Sequence, residues 1–133
     1  MLPTSLPNAS WLALAASLAL AAPAAASGGL ICAGEGVSAD LATGSLPVLQ
    51  VIGAYVEVGD RAWSTGPDRG EGIPIVVGQA FADGQQVLID FTDPNIETIL
   101  VSLRLRFGGS EDLPLSGTLM VENVAYPVQC GEG

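Results

Sequence analysis

The chain has no histidine and no lysine, and these two absences exclude more than any residue it contains. A serine or cysteine nucleophile needs a neighbouring base to take its proton, and that base is most often an imidazole. Catalytic zinc is held largely by imidazole, and a Schiff base needs a lysine amine. Triad hydrolysis, zinc hydrolysis and Schiff-base chemistry are therefore closed to this sequence, and no catalytic residue is expected. The glycines at 28–29, 34–36 and 108–109 match no nucleotide fingerprint and precede no helix signal, and no cofactor is expected.

Positive charge is nearly missing as well. Four arginines face 14 acidic residues for a net charge of −10, and every charge lies beyond residue 26. Such a surface repels phosphates and anionic headgroups, which makes nucleic acid and anionic membrane surfaces poor partners. The plainest use of the charge is solubility; the sharper one is recognition of a basic partner protein.

Only one long apolar run exists. Trp11 to Ala22 forms an Ala/Leu-rich segment followed by Pro23-Ala24-Ala25-Ala26, a small-residue cleavage pattern. Residues 1–26 are read as a cleaved secretory signal, although Met1 to Ser10 lacks a basic residue and contains Pro3 and Pro7. The run is shorter than the roughly 20 residues a bilayer needs, so no membrane span is expected after cleavage. Residues 27–133 remain as a single domain, exported to periplasm or medium.

There are two cysteines, Cys32 and Cys130. In an exported chain they most simply form one disulfide, joining the first strand to the last. Ile31 stands where lipid attachment to Cys32 would want a small residue, so a structural thiol is expected there.

What the chain does contain is alternation. In Thr98 to Phe107, Ile99, Val101, Leu103, Leu105 and Phe107 fall on one side of an extended backbone, with Thr98, Ser102, Arg104 and Arg106 on the other. Asp93-Pro94-Asn95 and Gly108-Gly109-Ser110 punctuate this strand. The same plan recurs in Leu30 to Cys32, Val48 to Val58, a strand starting at Arg61, Ile73 to Ala82, Gln85 to Thr92, Leu115 to Val121 and Val124 to Cys130. Gly59-Asp60, Asp83-Gly84 and Glu122-Asn123 read as two-residue hairpin turns, and Gly53 as a kink or bulge. The first turn pairs Val58 with Arg61 and Val56 with Trp63, pointing Trp63 into the core. The second sets Val87, Ile89 and Phe91 opposite Ala80, Gly78 and Val76. Residues 33–47 and 65–72 read as long connections, and Pro127 suits an edge or closing strand.

The expected fold is all-β: an eight-stranded antiparallel up-and-down barrel with its terminal strands linked by the disulfide, or alternatively a two-sheet sandwich. Alternating turns would then gather 33–47, 65–72, 93–96 and 122–123 at one rim and 59–60, 83–84 and 108–114 at the other. The first rim would hold Glu35, Asp40, Asp68, Arg69, Glu71, Asp93 and Glu122, and loops on a rigid scaffold are where binding usually sits.

The candidate binding residues are Asp68, Arg69, Glu71, Asp93, Asn95 and Trp63. Asp93-x-Asn95-x-Glu97 has the ligand types of half a calcium loop but lacks its glycine and terminal glutamate, so it reads as an Asx-type turn and no metal site is assigned. Arg104 and Arg106 read as solvated charges that pair with neighbouring carboxylates. Among so many acids some carboxylate pair will always be close, and a small barrel offers little cleft for a sugar chain. The leading expectation is a non-enzymatic binding or accessory protein that binds or inhibits a basic partner through its loop rim. The alternatives are a structural or self-associating envelope component, and a small-ligand carrier, which the bulky residues expected inside the barrel argue against. Nothing in the chain fixes an oligomeric state.

Overall fold

The computed structural model describes residues 28–44 and 47–133; the proposed signal with its cleavage motif lies outside the described residues. Ten strands follow in chain order: β1 (Gly28–Gly34), β2 (Val37–Thr43), β3 (Val51–Val58), β4 (Arg61–Ser64), β5 (Ile73–Pro74), β6 (Val76–Ala82), β7 (Gln86–Thr92), β8 (Ile99–Phe107), β9 (Leu115–Val121) and β10 (Val124–Glu132). Among the described residues there is no helix. The strands form one sheet in the order β5-β4-β3-β2-β1-β10-β9-β8-β7-β6. Its two outermost strands, β5 and β6, are separated in the chain by Ile75 alone. The chain therefore steps from one edge of the sheet to the other within one residue, and this rolls the sheet into a nearly closed barrel. The single continuous sheet excludes the sandwich.

Alternation places the core. Leu30 and Cys32, Ala39 and Leu41, Ala54 and Val56, Ile89 and Phe91, and Val101, Leu103 and Leu105 all turn inward and are buried, around a fully buried Trp63. The hairpin register at Gly59-Asp60 is the expected one, with Val58 opposite Arg61 and Val56 opposite Trp63. Cys32 and Cys130 stand directly opposite in the β1–β10 ladder and are bonded, with Cα atoms 4.0 Å apart. The first and last strands are thus tied covalently.

The strand count differs from the expected eight in two places. Residues 33–47 are not one connection: Glu35-Gly36 is a tight turn with Gly36 at φ 72°, and β2 returns alongside β1. Val37, Ala39 and Leu41 alternate inward, but the small and polar residues between them hid the strand. Ile73 to Ala82 is also two strands. Its first residues run parallel to β4, with Trp63 opposite Ile73, and the remainder pairs antiparallel with β7.

Three bulges explain the faces that differ. The β2–β3 register shifts after Ala42, leaving Ile52 as an extra residue pushed outward and 58% exposed; Val48 lies before the strand. Leu100 is the extra residue opposite Phe91 and Thr92, so Ile99 turns out to solvent. Gly78 is the third, and it turns Ile75 and Val77 toward the interior side. The β6–β7 turn is also longer than two residues. The Asp83 carboxylate accepts N–H bonds from Gln85 and Gln86 at 2.8 and 2.9 Å, and Ala82 pairs with Val87. Val87, Ile89 and Phe91 therefore face Ala82, Ala80 and Val77. Because the slip on β6 below the bulge is by two residues, the inward faces are kept.

Pro127 does not lie on an edge, since β10 sits between β1 and β9. The β1 ladder stops at the Ala33–Gln129 pair, so a proline beyond that point deprives no partner strand on that side.

Candidate functional site

Strand directions decide which turns meet. Glu35-Gly36, Gly59-Asp60, the 93–98 loop and Glu122-Asn123 share one end of the barrel, called here the turn end. The β2–β3 connection, the Asp83 turn and the 108–114 loop share the other. The expected rim is corrected accordingly: Gly59-Asp60 belongs with 93–96 and 122–123, and 65–72 belongs to neither end. Because β5 runs parallel to β4, that loop must travel back along the outer wall. It lies over β2 and β3, with Arg69 beside Gly53 and 3.6 Å from the Asp40 carboxylate, and the Tyr55 hydroxyl donating to the Glu71 carbonyl at 3.3 Å. Gly70, at φ 142°, passes so close to the Tyr55 ring that any Cβ there would collide with it.

This routing builds a cleft of about 540 Å³ between the loop and the β3–β4 hairpin. Tyr55, Glu57, Asp60, Arg61, Glu71 and Ile73 line it. Tyr55 and Glu57 project from the outer face of β3, Asp60 from the turn above, and Glu71 from the end of the wall loop. None of the three carboxylates forms a salt bridge among the described residues. Arg61, the cation of the cleft, is engaged elsewhere: it pairs with Glu122 at 2.8 Å and lies 4.7 Å from the centroid of the Trp63 ring. In that position it caps the barrel mouth over Trp63.

The 93–98 loop at the same end is held rigidly by one side chain. The Asp93 carboxylate accepts N–H bonds from Asn95 at 3.1 Å, Glu97 at 2.9 Å and Thr98 at 2.6 Å. Hydrogen bonding, that from Thr98 first, holds its carboxyl below the usual carboxylate range. With its oxygens turned to the backbone, this is the Asx-type turn. At the tip stands Ile96 with φ 59° and 71% exposure, a conformation a β-branched residue rarely adopts. Ile99 and Met120, both exposed, border a shallow cleft of about 220 Å³ with Glu122 and Asn123 on its edge.

Of the residues singled out from the sequence, Asp93 and Asn95 lie in the loop at the turn end, and Glu71 lines the wall cleft. Asp68 and Arg69 lie on the wall loop over β2 and β3. Trp63 is core, with no exposed surface to offer a ligand. Tyr55, Glu57, Asp60 and Ile96 were not foreseen. The outward parity of Tyr55 and Glu57 on either side of Val56 was the available signal for the first two. Among the described residues no group of three or more side chains converges as a metal site. Comparison with protein-family models, with curated proteins and with solved structures finds no match.

Proposed function

We propose that this is an exported, non-enzymatic binding protein for a basic partner protein, and that a lysine or arginine side chain of the partner enters the cleft beside Tyr55. One observation carries the reading: three carboxylates without salt-bridge partners among the described residues, Glu57, Asp60 and Glu71, line one cleft together with a half-exposed aromatic ring. An arginine or lysine gains there both carboxylate contacts and the face of a tyrosine. The acids Glu35, Glu97 and Glu122 at the adjoining turn end extend the negative field that draws a cationic protein in. The exposed Ile96 supplies an apolar contact on a loop that is already ordered, so little entropy is lost when it docks. Export agrees with the Cys32–Cys130 bridge, which persists in oxidising compartments. The carrier alternative finds no support in an interior filled by Trp63, Phe91, Leu41 and Leu103.

The test is affinity capture from periplasmic and extracellular fractions at low and high salt, using the oxidised protein and two charge-reversed variants. Glu57→Lys/Asp60→Lys/Glu71→Lys alters the cleft; Glu111→Lys/Asp112→Lys/Glu132→Lys makes the same change in net charge at the opposite end. A basic protein should be retained at low salt, released at high salt and lost only with the cleft variant. Equal loss with both variants would reduce the effect to net charge and sink the cleft.

A further inference from the structure

β6 ends the sheet order and pairs with β7 alone. Ile75, just before β6, donates its N–H to the carbonyl of Ser64 at the end of β4 at 3.0 Å; β6 then comes close to β3 across the seam, but no backbone hydrogen bond joins the two among the described residues. Among the described residues the outer row of N–H and C=O groups of β6 makes no backbone hydrogen bond, and the stretch Gln79 to Ala82 is its most open part. Val77 is 37% and Phe81 48% exposed along it, and Gly78, Gln79 and Ala82 are exposed too.

Proteins usually guard such an edge with charge, proline or a bulge. Here no ionised side chain occurs from Gly72 to Ala82, and Pro74 precedes the free stretch. The bulge at Gly78 kinks only its upper part; Gln79 to Ala82 runs in regular register with Asp90 to Val87.

Charge selects the occupant. A basic protein finds nothing to pair with on this uncharged edge. Two copies carrying −10 each repel at both barrel ends, which carry Glu35, Asp60, Glu97 and Glu122 on one side and Asp83, Glu111, Asp112 and Glu132 on the other. Apart from the two-residue β5, the other uncharged strands, β1 and β9, are bonded on both sides, so β6 is the uncharged strand with an edge left to pair. A strand edge is also complementary to itself when run antiparallel about a two-fold axis. We propose that the free edge of β6 pairs with the same edge of a second copy, continuing one barrel wall into the next. This rests on the edge alone and is independent of the cleft.

Sedimentation of the purified, oxidised protein over a range of concentrations, with backbone amide exchange, tests it. Association should rise with concentration and tighten with salt, as the screening length falls from about 10 Å at 0.1 M to about 3 Å at 1 M. Salt acts in the opposite sense on capture of a basic partner. The Gln79–Ala82 amides should exchange more slowly in the dimer. Phe81→Lys lessens the net repulsion yet sets an ammonium on the edge, and should abolish association; Val124→Lys makes the same charge change at the turn end and should leave it intact. If Phe81→Lys fails to fold, Ala82→Lys at the exposed strand end takes its place. A monomer at every concentration and salt, protection located elsewhere, or a β6 variant, Phe81→Lys or Ala82→Lys, that associates as well as the wild type would overturn the proposal.

Discussion

Opening the Cys32–Cys130 bridge probes how this barrel divides its stability between ladder and cross-link. The two cysteines are 98 residues apart in sequence, and the loop-entropy relation makes such a cross-link worth about 4.7 kcal/mol at 25 °C. A domain of this size has about 5–15 kcal/mol in total, so the reduced protein should stand near its folding threshold. The folded state should barely change on reduction. β1 is already hydrogen-bonded to β2 and to β10 on either side of Cys32, so no backbone bond depends on the sulfurs. The loss should therefore fall almost wholly on the unfolded chain, which expands once the constraint is gone. In urea, with the buried Trp63 as fluorescent reporter, the midpoint should drop by about 2–5 M at a slope of about 1–2 kcal/mol/M, and the slope should rise as the unfolded state exposes more surface. A Cys32→Ala/Cys130→Ala variant checks the result without reductant. A loss under about 1 kcal/mol with unchanged slope would refute the unfolded-state account. So would β1–β10 amides that lose protection in the reduced but still folded protein.

Other perturbations isolate single features. Ile96→Asn should stabilise the protein by about 1 kcal/mol, because an isoleucine in the left-handed region costs about 1–2 kcal/mol and asparagine tolerates it better. Ile96→Gly should recover less, since glycine gives the unfolded chain more freedom; a destabilised Asn variant in urea melts would show that the loop is not strained. Asp90 is 6% exposed on the outer wall, 2.9 Å from the half-exposed Arg104 guanidinium and bonded to the Gln79 amide. Asp90→Ala should cost about 2 kcal/mol, reduced from a fully buried pair because water reaches Arg104, and should speed amide exchange in β6; a cost below about 0.5 kcal/mol would remove this tie. Asp83 and Asp93 are held below the usual carboxylate range by backbone N–H bonds, Gln85 first for the former and Thr98 first for the latter. Lowered folded pKa values mean the stabilisation is present above the unfolded value of about 3.9 and is lost as pH falls through the folded ones. Asp93→Asn should flatten the acid limb of stability measured by urea melts from about pH 7 to pH 2, and an unchanged limb would dismiss the Thr98 bond as its source.

The all-β class, the disulfide, the Trp63 register and the Glu122-Asn123 turn were legible because each depends on residues close in sequence or on the only two cysteines. Alternation reports a face wherever large apolar residues mark it, as in β8. It was silent in β2, where Ala39 and Ser38 differ little in size and Asp40 sits between two inward positions. Bulges escape for a related reason. An extra residue such as Ile52 or Leu100 changes the parity of what precedes it, and nothing local to Ile52 distinguishes an inward isoleucine from one displaced by a neighbouring strand.

Parity also accounts for how the rim was misjudged and yet partly right. In a meander each strand reverses the chain, so one unrecognised strand exchanges the ends of every later loop. Overlooking β2 did this from Gly59-Asp60 onward. A second reversal enters where β5 runs parallel to β4, because the 65–72 loop returns along the wall instead of turning at an end. The two errors cancel after residue 73, which is why 93–96 and 122–123 keep the companionship inferred for them while 59–60 and 65–72 do not. The cleft arises at this same irregular step. A loop that must climb the outside of β3 brings Glu71 to Glu57 and Asp60 at the head of the β3–β4 hairpin, and the strand it delivers pairs with β4 for two residues before leaving β6 with one edge free. The acidic cleft and the open edge are thus two results of one departure from the meander, set between Thr65 and Val76, and the partners proposed for them are opposite: a cation for the first, an uncharged strand for the second.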